Sequence, residues 1–178
     1  MRRRALRTWK KPGSRPLQVI KHRQIVTDDW RRLTDLKPED ELPPGNLIIP
    51  FAFWQANREQ LIARGGKYAV CINGGHEIEV VAGDLEHFAL IALEFPTFRD
   101  GRCYSHARLL RERYAYQGEL RAVGDVLRDQ LLFMERCGID SFEVRADKNI
   151  EDALNAFTEF SVKYQTAADR AAPIYKLR

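Results

Sequence analysis

"FALIALEFPTFRDGRCYSHARLLRERYAYQG" spans residues 88–118. Its first eight residues, Phe88 to Phe95, carry a single charge, Glu94, and show no apolar/polar alternation. A short continuous apolar run of this kind reads as a strand buried on both faces. A polar turn follows, and "YSHARLLRERYAYQG" reads as a helix ending at Gly118. A buried strand feeding a helix is the repeating unit of an α/β protein with a parallel sheet.

The unit recurs in both directions. Upstream, "LIIPFAF" (47–53) is a strand whose exit falls at Trp54, and "WQANREQLIARGG" is a helix stopped by Gly65-Gly66. "KYAVCI" is the next strand, while "EIEVVAGDLEHF" is ambiguous between strand and connecting element. Downstream, "LRAV" is a strand and "VLRDQLLFMERCG" an amphipathic helix capped by Gly138. "SFEV" is a further strand, and "NIEDALNAFTEFSVKYQT" closes the pattern as a long helix. Strand then helix, about five times over, predicts a mostly parallel sheet of about five strands with helices on both faces. A partial (β/α) barrel shares this local pattern, although five units fall short of an eight-strand closure. A short N-terminal β-hairpin, "LQVIKHRQIV" (17–26), precedes the repeat, and the Pro- and acid-rich "KPEDELPPGN" (37–46) connects the two.

The 178 residues suffice for one domain with a real core, so 17–178 reads as a single α/β domain. Residues 1–15 hold seven cations and no acid; removing these from the total of +4 leaves −3 for the rest. Residues 1–16 therefore read as a basic, solvated, disordered tail. Only Trp9 interleaves with its charge, a poor fit to nucleic acid. No apolar run is long enough to span a bilayer and no secretory signal follows the basic start, so a cytoplasmic location without membrane contact is expected. Cys71, Cys103 and Cys137 form no CxxC, and His22, His76, His87 and His106 have no metal-ligand spacing. No GxGxxG occurs. Neither a metal nor a cofactor is expected.

In an open parallel sheet, ligands gather outside the carboxyl ends of the strands. The turn after Phe95 is one such exit. Asp100-Gly101 makes a tight turn and Ser105 is a candidate N-cap for the following helix. Free N–H groups at a helix start favour an anion. Arg99, Arg102, Arg108 and Arg111 surround that start, and arginine grips oxoanions bidentately. These residues form the candidate site for a small oxoanion, with Tyr104, Arg128 and Asp129 lining it. Glu94, Asp100 and Asp125 are its candidate acid–base groups. The competing reading is structural: Arg108 and Arg111 pair with Glu112, Asp125 or Asp129, while Arg99 and Arg113 are solvated. Asp125 and Asp129 also suit a helix N-terminus without any catalytic role. Cys103, beside a helix start and among arginines, is the one thiol whose setting would lower its pKa.

The stretch "ALIALEFPTFRDGRCYSHARLLRERYAYQGELRAVGDVLRDQLLFMERCGIDSFEV" resembles the central signature of a bacterial family of unknown function that is described as an oxidoreductase involved in sulfite reduction. A looser match runs through "LPPGNLIIPFAFWQANREQLIARGGKYAV". Cys103 stands where that pattern has another small residue. Members of the family are typically encoded beside assimilatory sulfite reductase. The resemblance implies an accessory role in sulfite reduction and cysteine synthesis, with sulfite reductase as partner and an oxoanion such as sulfite as ligand. The alternative is a stand-alone enzyme acting on a small anionic substrate.

Overall fold

The computed structural model describes residues 17–159 and 167–168. The chain begins with the expected hairpin, β1 (Gln18–Lys21) and β2 (Gln24–Thr27), paired antiparallel from Gln18 opposite Thr27 to Lys21 opposite Gln24. A third strand, β3 (Trp30–Arg32), was not foreseen. Four strand–helix units follow: β4 (Asn46–Pro50) with α1 (Phe51–Arg64), β5 (Tyr68–Asn73) with α2 (Ile78–Ala82), β6 (Phe88–Phe95) with α3 (Arg102–Glu112), and β7 (Glu119–Gly124) with α4 (Arg128–Arg136). The series ends with β8 (Ser141–Phe142) and α5 (Ile150–Leu154). The first repeat strand ends at Pro50, not at Trp54, because Pro50 pre-sets the backbone at which α1 begins. The foreseen closing helix is instead one short helix, N-capped by Asn149, and a 3₁₀ turn at Asn155–Thr158. Its continuation, like the basic tail, lies outside the described residues.

The eight strands form one sheet in the order β2-β1-β8-β7-β6-β5-β4-β3. From β3 to β8 every neighbouring pair is parallel, and sequence order equals spatial order. Right-handed crossovers that always advance in one direction put every helix on the same face. The sheet is accordingly wound one way and curls into a half-barrel. The mixed α/β class agrees with the sequence reading. The curl is that of the partial (β/α) barrel held as the alternative; the count of about five strands is only roughly met, because the hairpin and β3 join the same sheet, and helices on both faces would need a winding that reverses.

The two faces of the sheet divide the core. On the convex side, Ile49, Val70, Ile72, Ile91, Leu93 and Phe142 pack against the buried faces of the helices, including Trp54, Leu110 and Leu131. On the concave side the second cluster consists of sheet residues alone: Ile48, Ala69, Leu90, Ala92 and Val123. The buried apolar side chains of α1, α2, α3 and α4 belong entirely to the convex cluster. Phe88 to Phe95 reads as continuous apolar because it is the middle of this sheet, covered on both faces.

One polar staple fixes the convex layer. Asp84 accepts a 2.7 Å hydrogen bond from the Trp54 indole Nε1 and is gripped by Arg58, with Nη2 at 2.6 Å. Burial raises the Asp84 pKa, but Arg58 and Trp54 outweigh it and hold the carboxyl below its usual range. A carboxylate with a depressed folded-state pKa contributes stability above its unfolded pKa, and that stability is lost as pH falls through the folded value. Asp84→Ala orphans the buried indole N–H, a loss of about 1–3 kcal/mol. We expect a lower Tm at neutral pH than for the natural sequence, with the difference shrinking on acidification; thermal melts followed by Trp fluorescence across pH check it.

Candidate functional site

The arginine-rich stretch does not converge on one point. Helix α3 begins at Arg102 with Gly101 as N-cap, four residues before the expected cap, so Ser105 is an exposed helix residue and not a cap. Arg102 folds back on Asp100 through Nε at 2.9 Å and Nη2 at 2.7 Å and is 63% exposed. This pairing, offset in part by desolvation, lowers the Asp100 pKa to about 2. Arg108 pairs with Glu112 one turn on, at 2.8 Å. Arg99 is exposed and makes no ion pair among the described residues.

Arg111 is a structural clamp at the far end of α3. It donates to the carbonyls of Tyr116, Gly118 and Gly138 and to Asp140 at 2.8 Å. Its carboxylate partner is thus none of those the sequence suggested. Asp125 accepts from the Phe98 backbone N–H at 2.8 Å and from Arg145 at 2.7 Å, tying the exits of β6 and β7 together. Gly124 makes this closeness possible: it has φ +96, and a Cβ there would sit 2.4 Å from the Phe95 carbonyl oxygen. Arg128 bridges Asp152 at 2.6 Å and also Glu159, while Asp129 is exposed in the first turn of α4. Tyr104 is half-buried between Phe95 and Phe133, both at 5.1 Å between ring centres. Of the candidate acid–base groups, only Glu94 belongs to the concave face.

That face holds a charged constellation the sequence reading missed. Arg121 lies mid-strand in β7, in register with Ala92 on one side and Ser141 on the other, and its side chain is 2% exposed. Its Nε and Nη2 reach Glu119 Oε1 at 2.9 and 2.7 Å. Its Nη1 lies 2.9 Å from Asp28 Oδ1, an ion contact whose geometry falls outside a hydrogen bond. Lys21 also donates to Glu119, at 2.6 Å. Burial alone would raise the Glu119 pKa, but Arg121 and Lys21 more than offset it and the net shift is downward.

Nearer the strand exits, the Arg32 side chain is 12% exposed and stands between Glu94 at 3.7 Å and Glu143 at 3.8 Å. Both distances are beyond hydrogen-bond reach. Burial raises the Glu143 pKa despite Arg32 and Arg121. A cavity of about 30 Å³ lies here, lined by Leu17, Asp28, Trp30, Arg31, Arg32, Ile48 and Glu143. Among the described residues, Asp28 Oδ2, Arg31 Nε, Arg32 Nε and Nη1, and Ser141 Oγ are buried without a hydrogen-bond partner. Buried polar atoms are nearly always paired, so this inner face carries an unusual electrostatic cost. Two larger surface clefts lie apart from it. One, of about 550 Å³, runs along α1 beside residues 38–42; the other, of about 660 Å³, surrounds Arg23, Arg111 and Glu135.

Burial shapes two of the thiols. Cys103 is buried and donates to the Glu94 carbonyl at 3.3 Å; burial, then nearby Asp100, push its pKa up to about 12. The lowering expected from the helix start is overturned by desolvation. Cys71, on the concave face, is pushed up to about 12 by burial and Glu94, against the opposing effect of Arg32. No cluster of three or more His, Cys, Asp or Glu suited to a metal occurs among the described residues. No described helix is long and apolar enough to cross a membrane.

Fold and site together define a singly wound α/β half-barrel with a charged concave face. The chain belongs to a bacterial protein family of unknown function, DUF934, whose model matches residues 69–175. No curated protein and no solved structure matches it.

We expect Cys71 and Cys103 to resist iodoacetamide at mildly alkaline pH in the native protein, at less than about a hundredth of the rate of an exposed thiol. Mass spectrometry of tryptic peptides, with and without denaturant, reads this directly. Rapid native labelling of Cys103 would contradict the buried setting.

Proposed function

We propose that this chain is an accessory protein of assimilatory sulfite reduction that docks on sulfite reductase through the surface around the β6 exit. The observation that carries the docking is an exposed aromatic face rimmed by cations. Phe98 and Phe133 are 50% and 56% exposed. Tyr104 packs on Phe133, and Gln130 of the same helix as Phe133 reaches the Phe98 carbonyl at 3.5 Å. Arg99 and Arg102 project from the adjoining turn. Aromatic residues and arginine are the types enriched where proteins bind one another. The occupant that fits is an acidic, partly apolar patch on the reductase. The link to sulfite rests on the family resemblance carried by residues 89–144.

A second reading, a stand-alone enzyme acting on a small anionic substrate, finds its support in Glu94 and Glu143 flanking Arg32. Burial favours the neutral form of Glu143, the setting in which a carboxyl group can act as a general acid. Asp100 and Asp125, by contrast, are taken up by Arg102 and by Arg145 with the Phe98 backbone.

The test is the rate of sulfite reduction by the cognate reductase with a physiological electron donor, with and without this chain. A faster rate and co-elution are expected with the natural sequence. Both effects are lost in the Phe98→Ser/Phe133→Ser double variant at unchanged Tm, because both side chains are exposed. No rate change and no co-elution with the natural sequence would overturn the accessory reading.

A further inference from the structure

The sheet ends at β2, and one row of its backbone groups points away from the ladder. Asp28 N–H donates to the Leu17 carbonyl, which carries the β1–β2 pairing one step past Thr27 opposite Gln18. Hydrogen-bonded pairs in an antiparallel ladder fall on every second residue. Gln24 and Val26, at even steps back from Asp28, therefore also turn their N–H and C=O groups to β1. On the far side of β1, the His22 N–H reaches the Asp140 carbonyl, as the same alternation requires. The backbone groups of Ile25 and Thr27 turn the other way, off the end of the sheet. Among the described residues, nothing accepts a hydrogen bond from the Ile25 or Thr27 N–H.

Nothing in the strand itself discourages a further strand. Exposed edges are ordinarily protected by Pro, by a charge such as Lys, or by a bulge. Strand β2 reads "QIVT", with no charge and no Pro, and its pairing with β1 runs without a bulge. Gln24 and Thr27 are exposed, and Ile25 and Val26 are only partly covered.

The charges at the two ends of the strand choose the partner. Arg23 precedes β2, and its side chain is 48% exposed. Asp29 follows the strand and is exposed. A second copy of the same strand, run antiparallel about a two-fold axis through Val26, sets Ile25 opposite Thr27 and Thr27 opposite Ile25. Each of these outward pairs then exchanges both of its N–H···O=C bonds. The same register brings the basic end of each strand to the acidic end of the other, Arg23 toward Asp29. The two Val26 side chains meet across the axis at the close spacing of a non-hydrogen-bonded pair. A parallel arrangement would instead set Arg23 against Arg23 and Asp29 against Asp29.

We propose that β2 is a self-association edge, which pairs antiparallel with β2 of a second copy of this chain and joins the two sheets into one. The contact is isologous, so it closes at a dimer. It lies at the end of the sheet, away from the β6 exit and its aromatic face, and does not rest on the accessory reading.

The experiment follows the mass of the full chain by sedimentation equilibrium from about 10 μM to about 1 mM, a range that captures the weak affinity of a short strand pair. Amide hydrogen exchange is read by NMR at both extremes. A reversible monomer–dimer equilibrium is expected. The Ile25 and Thr27 amides exchange fast in dilute solution and slow in step with dimer formation, while Gln24 and Val26 are slow throughout. Thr27→Pro removes an outward N–H and leaves the bonds to β1 in place; it weakens dimerisation by at least about tenfold. Asp29→Arg weakens it by about threefold in low salt and by less in about 0.5 M salt. A chain that stays monomeric throughout overturns the proposal. So does protection of Ile25 and Thr27 already present in the dilute monomer, since another part of the chain then covers the edge. A dimer that forms without slowing exchange at Ile25 and Thr27 places the contact elsewhere and overturns it as well. The natural sequence and Asp29→Arg supply the decision should Thr27→Pro fail to fold.

Discussion

The structure depends on one constraint, that the chain never reverses its winding. Each strand from β3 to β8 is laid beside the one before it, always parallel and always on the same side. Right-handed crossovers then commit all helices to the convex face. That face is apolar apart from the Asp84 staple. The concave face receives no helix; there Ala69 stands between Ile48 and Leu90, and Ala92 lies beside the charged Arg121. The curl and the polarity of the inner face both follow from this arrangement. So does the position of β1, which joins β8 antiparallel and lets Lys21 reach Glu119.

A buried ion pair is rarely the cheapest way to fill a core, since desolvation offsets most of the attraction. The inner face nevertheless keeps Arg121 with Glu119 and Asp28, and places Arg32 between two glutamates without hydrogen-bonding either. The two clusters differ in kind. The first is nearly complete, with Glu119 held below its usual pKa by its partners after burial is overcome. The second is incomplete, with Glu143 shifted upward and guanidinium nitrogens unpaired. Both lie on the side of the sheet that the helices leave open.

Much of the architecture was legible in the sequence because burial writes itself as composition. The run from Phe88 to Phe95 marks the central strand, and Gly65 and Gly138, with φ +75 and +102, close α1 and α4 where expected. The direction of winding was not legible, since a unit that steps left has the same local pattern as one that steps right. Strand β3 was missed because three residues, two of them arginine, carry no apolar period. The arginines of the candidate loop are spread apart for a geometric reason. Arg102, Arg108 and Arg111 lie six and three positions apart, and only residues three or four apart share a helix face, so the first points away from the other two. One signal was available: Arg121 interrupts the otherwise apolar "LRAV", and a charge mid-strand in a covered sheet must have buried partners. Glu143 in "SFEV" carried the same message more weakly.

A crystal structure of the full chain tests the one-way winding most directly. Strands β3 to β8 in unbroken spatial order, with α1 to α4 all on one face, are the predicted result. A strand order that reverses, with helices on both faces, would contradict it.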